Sequence, residues 1–290
     1  MLLLMLFWQQ KHCIESRTLI NKFMQLLLSP AKLINFKDKA ETAKGTPPLF
    51  SEKTNLLAEF CQQLSVEEIA KLLKINMKMA HDVYGYFQTF HLENELERSA
   101  AFAFNGIAFQ GLNVHDMTAN ELLFAQNHLH IASGMYGLLR PLDIIKPYRL
   151  DVSTRISPNV GINNSGNLNT IYPNSNYLYG YWQKTVNNYL SEKLRNDDNI
   201  IINLSSAEYY KLIVPELLPK EMQMITIGFR EQKTDGLKQV VVYAKKARGM
   251  MARFIIKNNI TKVQDIKGFD TEGYFFSPAQ STPNEWIFVR

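Results

Sequence analysis

A chain of 290 residues, 46% hydrophobic and 20% charged, can bury a sizeable core and is too apolar for general disorder. Its formal charge of +5 permits a nucleic-acid partner without demanding one, so the placement of the cations matters more than their sum. Two cysteines far apart in sequence, Cys13 and Cys61, point to a reducing compartment and exclude a disulfide framework.

The opening MLLLMLF is apolar but too short to span a bilayer, and it has neither preceding basic residues nor a small-residue cleavage site. The chain therefore reads as cytoplasmic with no membrane partner, and residues 1–23 as an extension ahead of the fold. Residues 24–28 form a short apolar run, read as a buried strand, that ends in Ser29, Pro30, Ala31 and Lys32. A lysine just beyond a strand end is a candidate site residue, although a solvated turn lysine has the same signature. A polar loop over 37–50 precedes helices at about 52–64, from the Ser65 to Glu68 capping spacing onward, and at 77–90. Residues 100–112 are apolar, with Gly106 and Gly111 suggesting a bend or close backbone approach.

The stretch 118–149 reads as two short helices around a tight turn. Thr118 and Glu121 have capping-box spacing, and Leu122, Leu123, Ala125, Leu129 and Ala132 recur at helical intervals. Gly134 and Gly137 bracket Met135 and Tyr136; a second helix then takes Pro141 in its first turn and stops at Pro147. This pattern resembles a helix-hairpin-helix, whose hairpin amides and helix start hold a backbone phosphate. Arg140, Lys146 and Arg149 add positive charge there, partly cancelled by Asp143. An ordinary αα-hairpin carries the same pattern more commonly.

Residues 152–177, rich in Asn, Ser, Gly and Pro, read as a long surface loop without chemistry, and helical periodicity returns over 178–194. A β-branched run at 199–204 leads directly into Ser205 and Glu208, again at capping-box spacing. A strand feeding a helix start favours anions, whereas the capping role would give Glu208 a structural task. Residues 222–229 and 237–243 read as strands paired through an Asp235–Gly236 turn. Residues 243–257 then carry Lys245, Lys246, Arg248, Arg253 and Lys257 with no acidic residue. Ala247, Met250, Met251, Phe254 and Ile255 form an apolar stripe; Lys246, Arg253 and Lys257 lie opposite it, beside Gly249, where an open backbone would suit phosphate contact. Two further strands are expected over 269–290.

No phosphate-binding loop, dinucleotide fingerprint or nucleophile elbow is present, the six histidines lack zinc spacing, and no Glu-x-x-His occurs. The sequence thus gives no reason to expect a metal or cofactor. Any catalytic reading rests on Lys32, Ser205, Glu208 and Lys246, a strand-end set in which Glu208 would act as general base and the lysines would bind phosphate.

Taken together, LLLSPAK at 26–32, SGMYGLLRPLDIIKPYRL at 133–150, INLSSAEYYKLI at 202–213, YAKKARGMMARFII at 243–256 and GFDTEGYFF at 268–276 resemble the peroxide-stress YaaA family. The resemblance runs from Met24 to Arg290. It implies an α+β fold in one large domain, with a mixed β-sheet surrounded by helices and an embedded helix-hairpin-helix. It further implies a cytoplasmic bacterial protein of the hydrogen-peroxide response that limits iron-linked damage and binds DNA through the hairpin and a positive cleft. By position, Gly134, Gly137 and Arg140 match the hairpin, and Lys245, Lys246 and Arg248 match the basic motif. Asn105 and Ser153 depart from the usual lysine and glycine. The preferred expectation is a non-catalytic, sequence-nonspecific DNA binder using Gly134, Tyr136, Gly137, Arg140, Lys146, Arg149, Lys245, Lys246, Arg248 and Arg253. The alternative is an enzyme acting on a nucleotide or nucleic-acid base.

Overall fold

The structure, a computed structural model, describes residues 23–37, 44–93, 96–156 and 177–290. The expected extension over 1–23, except Phe23, and most of the Asn-rich loop lie outside these residues. The fold is mixed α+β. Its main sheet contains, in chain order, β1 (Gln25–Leu28), β3 (Leu129–Ser133), β4 (Gly137–Leu139), β6 (Ile200–Leu204), β7 (Gln223–Lys233), β8 (Gly236–Lys238), β9 (Phe275–Phe276) and β10 (Glu285–Val289). A separate ribbon pairs β2 (Arg98–Ser99) with β5 (Ile144–Ile145).

The centre of the sheet is parallel, with β1 paired to β3 and β6, β6 to β7, and β7 to β10. Strands buried on both faces must be largely apolar, which explains Leu26, Leu27 and Leu28 of β1 and Ile200, Ile201 and Ile202 of β6; the buried Gln25 and Asn203 are polar exceptions hydrogen-bonded to His130 and Ser205. Strands β4, β8 and β9 are antiparallel additions. Counting only the five parallel strands in chain order, their spatial order is second, first, third, fourth, fifth. The chain leaves β1 for a neighbour on one side and later crosses to β6 on the other. In doubly wound sheets the crevice beyond the carboxyl ends at such a reversal is where ligands gather. Here that crevice lies beyond Leu28 and Leu204, which are register partners.

The helices with described bounds are α1 (Ser51–Gln62), α2 (Val66–Leu73), α3 (Met77–Thr89), α4 (Ala100–Ala103), α5 (Ile107–Leu112), α6 (Ala119–His128), α7 (Leu178–Asn196), α8 (Ala207–Tyr210) and α9 (Val241–Lys257). Both capping boxes expected at Ser65/Glu68 and Thr118/Glu121 are formed. Helix α9 turns Ala244, Ala247, Met251 and Ile255 into the core. No helix among the described residues is long and apolar enough to cross a membrane.

Two expectations are corrected. Residues 237–243 are not one strand: β8 ends at Lys238 and α9 begins at Val241. The segment 118–149 is not a helix-hairpin-helix. Helix α6 stops at His128, and the chain continues as strand β3, a tight turn and antiparallel strand β4. The sheet captures Leu129, Ile131 and the backbone beside them, because pairing with β1 buries this run completely. Tertiary pairing thereby overrides a helical spacing that Leu129 and Ala132 satisfied by coincidence.

His130 on β3 illustrates the cost of that burial. Its Nε2 lies 2.7 Å from Gln25 Oε1, while its buried Nδ1 has no partner. Burial, assisted by Lys193, His128 and Arg140, pushes its pKa down from 6.5 to about 3. Below pH ~6.5 the unfolded chain takes up a proton that the folded chain refuses, so stability falls as pH drops from that value, by roughly 2 kcal/mol at pH 5. Melting curves between pH 7 and pH 5 should show this slope flattened in His130→Leu.

Candidate functional site

The hairpin residues occupy the interior. Met135 and Tyr136 are buried, and their amides donate to Ser133 Oγ at 3.2 and 3.0 Å, so they are already satisfied. A Cβ at Gly134 would overlap the Leu150 carbonyl. Gly137, at φ +70°, lies against the ring of Trp182, whose Nε1 donates to Gly134 O at 2.8 Å. Arg140 is bound to the buried Asp143. Lys146 Nζ donates to the carbonyls of Phe90 and Leu92, with Glu97 at 3.5 Å. Arg149 is half-buried and has no partner among the described residues. In this arrangement Gly134, Tyr136 and Gly137 present nothing to a polynucleotide.

The basic face of α9 is also altered by its neighbours. Lys246 pairs with Glu272 at 2.5 Å, Arg253 with Asp116 at 2.5 Å, and Lys257 with Asp116 and Glu121. Sequence reasoning saw no acid within 243–257; the acids arrive from elsewhere in the chain. Gly249 does not leave an open backbone. A Cβ there would overlap the Ala108 carbonyl, because α5 packs directly on α9.

Lys245 and Arg248 remain. Neither has a carboxylate partner among the described residues, and Arg248 Nε is buried without a hydrogen bond. Burial lowers the Arg248 pKa, yet a guanidinium stays charged at any physiological pH. Both side chains line two adjoining cavities at the carboxyl ends of β1 and β6. One, of about 400 Å³, is bounded by residues 28–33 after β1, the start of α5, Leu204, Glu208 and Tyr209. The other, of about 370 Å³, is bounded by Asn203, Ser205, Tyr210, Thr226 and Gln239 among others. Ser206, Lys245 and Arg248 belong to both.

Glu208 reaches the first cavity because it is not used as a cap. Helix α8 starts after Ser206 without a side-chain cap, and Ser205 Oγ instead donates to Asn203 Oδ1 at 2.6 Å. The Glu208 carboxylate receives the hydroxyl of Ser153. The two strand ends are tied by the Ser206 amide donating to Ser29 Oγ at 2.8 Å. Lys32 lies 2.9 Å from Asp151, and the Tyr209 hydroxyl donates to the same carboxylate at 3.3 Å. Burial first, then Asp151, Tyr148 and Glu208, pushes the Tyr209 phenol far up, so it stays a proton donor.

Of the four catalytic candidates, Lys32 and Glu208 thus share a cavity, Ser205 lines the adjoining one, and Lys246 faces another groove with Glu272. Asp151 and Tyr209 were missed. Asp151 falls between the quoted motif at 133–150 and the loop from 152, and only the approach of Lys32 gives it a role. Among the described residues no three His, Cys, Asp or Glu side chains are placed to hold a metal ion. The charged groups at the cavity, Lys32, Lys245, Arg248 and Glu208, suit an anionic ligand that also carries a hydrogen-bond donor.

The family model described as peroxide stress protein YaaA matches residues 24–280. A protein of Parabacteroides distasonis described as "UPF0246 protein" is 33% identical over 267 residues, covering 92% of this chain and 100% of that protein.

Proposed function

Because this chain belongs to the peroxide stress protein YaaA family, we propose that it serves the peroxide response by holding DNA through its phosphate backbone at the cleft beyond β1 and β6. One observation carries this reading: α9 presents to that cleft Lys245 and Arg248, which have no carboxylate partner among the described residues, while Lys246, Arg253 and Lys257 are neutralised. Cations kept free of carboxylates attract phosphate at long range, and a half-buried guanidinium binds it in low dielectric.

Contacts of this kind release counterions, so affinity must fall with added salt. Fluorescence anisotropy with a labelled duplex across a salt series is the test. Lys245→Ala with Arg248→Gln should weaken binding on the order of 10-fold per contact and reduce the salt slope by about 2. Lys246→Ala with Arg253→Ala should leave both unchanged. Affinity indifferent to salt, or a cleft variant that binds like the parent protein, would refute the reading.

A second reading, an enzyme acting on a nucleotide or nucleic-acid base, is favoured by the Glu208 carboxylate standing in the cavity with Lys32 instead of capping a helix. Product analysis after incubation with oligonucleotides tests it. Turnover abolished in Glu208→Gln with binding retained is the supporting result, and no product from the parent protein excludes it.

A further inference from the structure

We propose that the cleft takes one nucleobase out of its strand, seating it in the larger cavity while the attached phosphate rests between Lys245 and Arg248. This rests on the phosphate-binding reading above and deepens it by naming the unit recognised. The two cavities differ in the polar side chains they add to an apolar lining. The larger is walled by Leu28, Pro30, Ala31, Ile107 and Leu204. The smaller sets Asn203, Ser205, Thr226 and Gln239 among Ala207, Tyr210, Val241 and Ala244. The free cations stand on the wall the two share.

A backbone lying across the cations would satisfy the charge and leave an apolar chamber of about 400 Å³ unfilled. That size falls within the ~300–1,000 Å³ of small-ligand sites, and apolar lining with a few convergent polar groups is their usual character. The ligand part that is flat, apolar on its faces and covalently adjacent to a phosphate is a base. Its edge carries donors and acceptors, and the cavity offers both: Lys32 donates and the Glu208 carboxylate accepts. An acceptor carboxylate selects bases bearing an exocyclic amino group, as in carboxylate recognition of cytosine. Glu208 is held towards this task by the Ser153 hydroxyl, and Lys32 by Asp151.

The chamber is built to stay open on the β1 side. Gly106 meets Ala31 so closely that a Cβ on the glycine would lie 2.7 Å from the alanine methyl. The turn after β1 is therefore braced against the start of α5, and Ile107 faces the cavity from there.

Taking a base out of a stack costs a few kcal/mol, least where it is mispaired or already single-stranded. The protein should accordingly prefer a duplex with a mismatch or single-stranded gap over a perfect duplex. The experiment uses oligonucleotides carrying the fluorescent adenine analogue aminopurine, dark when stacked and bright when unstacked, with anisotropy read in parallel. Saturating protein should raise the fluorescence several-fold at a mismatch and less in a perfect duplex. Ile107→Trp, which fills the chamber, should abolish the rise and the mismatch preference while leaving salt-dependent duplex affinity intact. Leu33→Trp, at an exposed rim position, serves the same purpose if the first variant does not fold. A duplex bound with no fluorescence change, or a rise that survives both tryptophan variants, overturns the base-seating proposal and leaves phosphate binding standing. Failure to bind any oligonucleotide overturns both.

Discussion

Gly249→Ala should lower the melting temperature, although alanine is the better helix former. Within an isolated helix the exchange would be worth about 1 kcal/mol in favour of alanine. In α9 the added methyl would enter the carbonyl oxygen and carbon of Ala108 and approach the Leu112 amide. These are backbone atoms of α5 and cannot rotate away, so the two helices must separate. Overpacking of this kind costs about 1–3 kcal/mol and occasionally more. The expected drop is several degrees, at roughly 2–4 °C per kcal/mol for a chain of this size. Gly85→Ala in α3, where nothing lies within 4 Å, is the control and should stabilise by about 0.5–1 kcal/mol. On the proposed reading of the cleft, the Gly249 variant should also bind DNA more weakly, since Lys245 and Arg248 ride on the displaced helix. A Gly249 variant as stable as the control would refute the close α5–α9 contact as the reason for this glycine.

That glycine marks the boundary of what local pattern could reveal. The stripe of Ala247, Met250, Met251, Phe254 and Ile255 identified both the helix and its buried face, with Phe254 only partly buried, because burial on a helix repeats with the helix period. Gly249 carries no such signal. A glycine beside cations reads equally well as open backbone for a phosphate or as a notch for another helix, and the choice depends on where α5 packs. The segment after His128 shows the same limit. Its apolar spacing suits a helix over several residues, yet the free-energy gain of joining β1 in the sheet decides for a strand, and β1 lies far away in sequence.

The cleft was partly legible. Lys32 and Glu208 were singled out because each follows an apolar run read as a strand. That logic holds whenever the strands are parallel and their carboxyl ends lie on one edge. Their meeting required β1 and β6 to be neighbours, a matter of sheet order that no local spacing encodes. Charge was the least legible property. Residues 243–257 contain no acid, but Asp116, Glu121 and Glu272 neutralise Lys246, Arg253 and Lys257 across the fold. Lys245 and Arg248, which meet no carboxylate among the described residues, look no different in sequence from those that are paired.

Arg140 separates a structural from a nucleic-acid role most sharply. Asp143 is fully buried, and it accepts the Arg140 amide at 2.8 Å, Nε at 3.0 Å and an Nη at 2.8 Å, with Thr46 Oγ1 at 2.7 Å. The Arg140 guanidinium is itself only 26% exposed, so solvent screens the pair weakly. Arg140→Ala removes the counter-charge and two donors from a carboxylate that cannot reach water, a loss of about 3–5 kcal/mol. The expected outcome is a melting temperature lower by on the order of 10 °C, with the salt dependence of DNA binding unchanged where the variant is folded. Replacing both partners, as in Arg140→Met with Asp143→Leu, should recover much of the loss, because no unpaired charge then remains buried. A DNA-contacting arginine would behave in the opposite way: stability would be unaffected by Arg140→Ala, and the salt slope would fall by about 1. Thermal melting and a salt titration on the same two variants therefore decide whether this arginine anchors the strand β4 turn or reaches the nucleic acid.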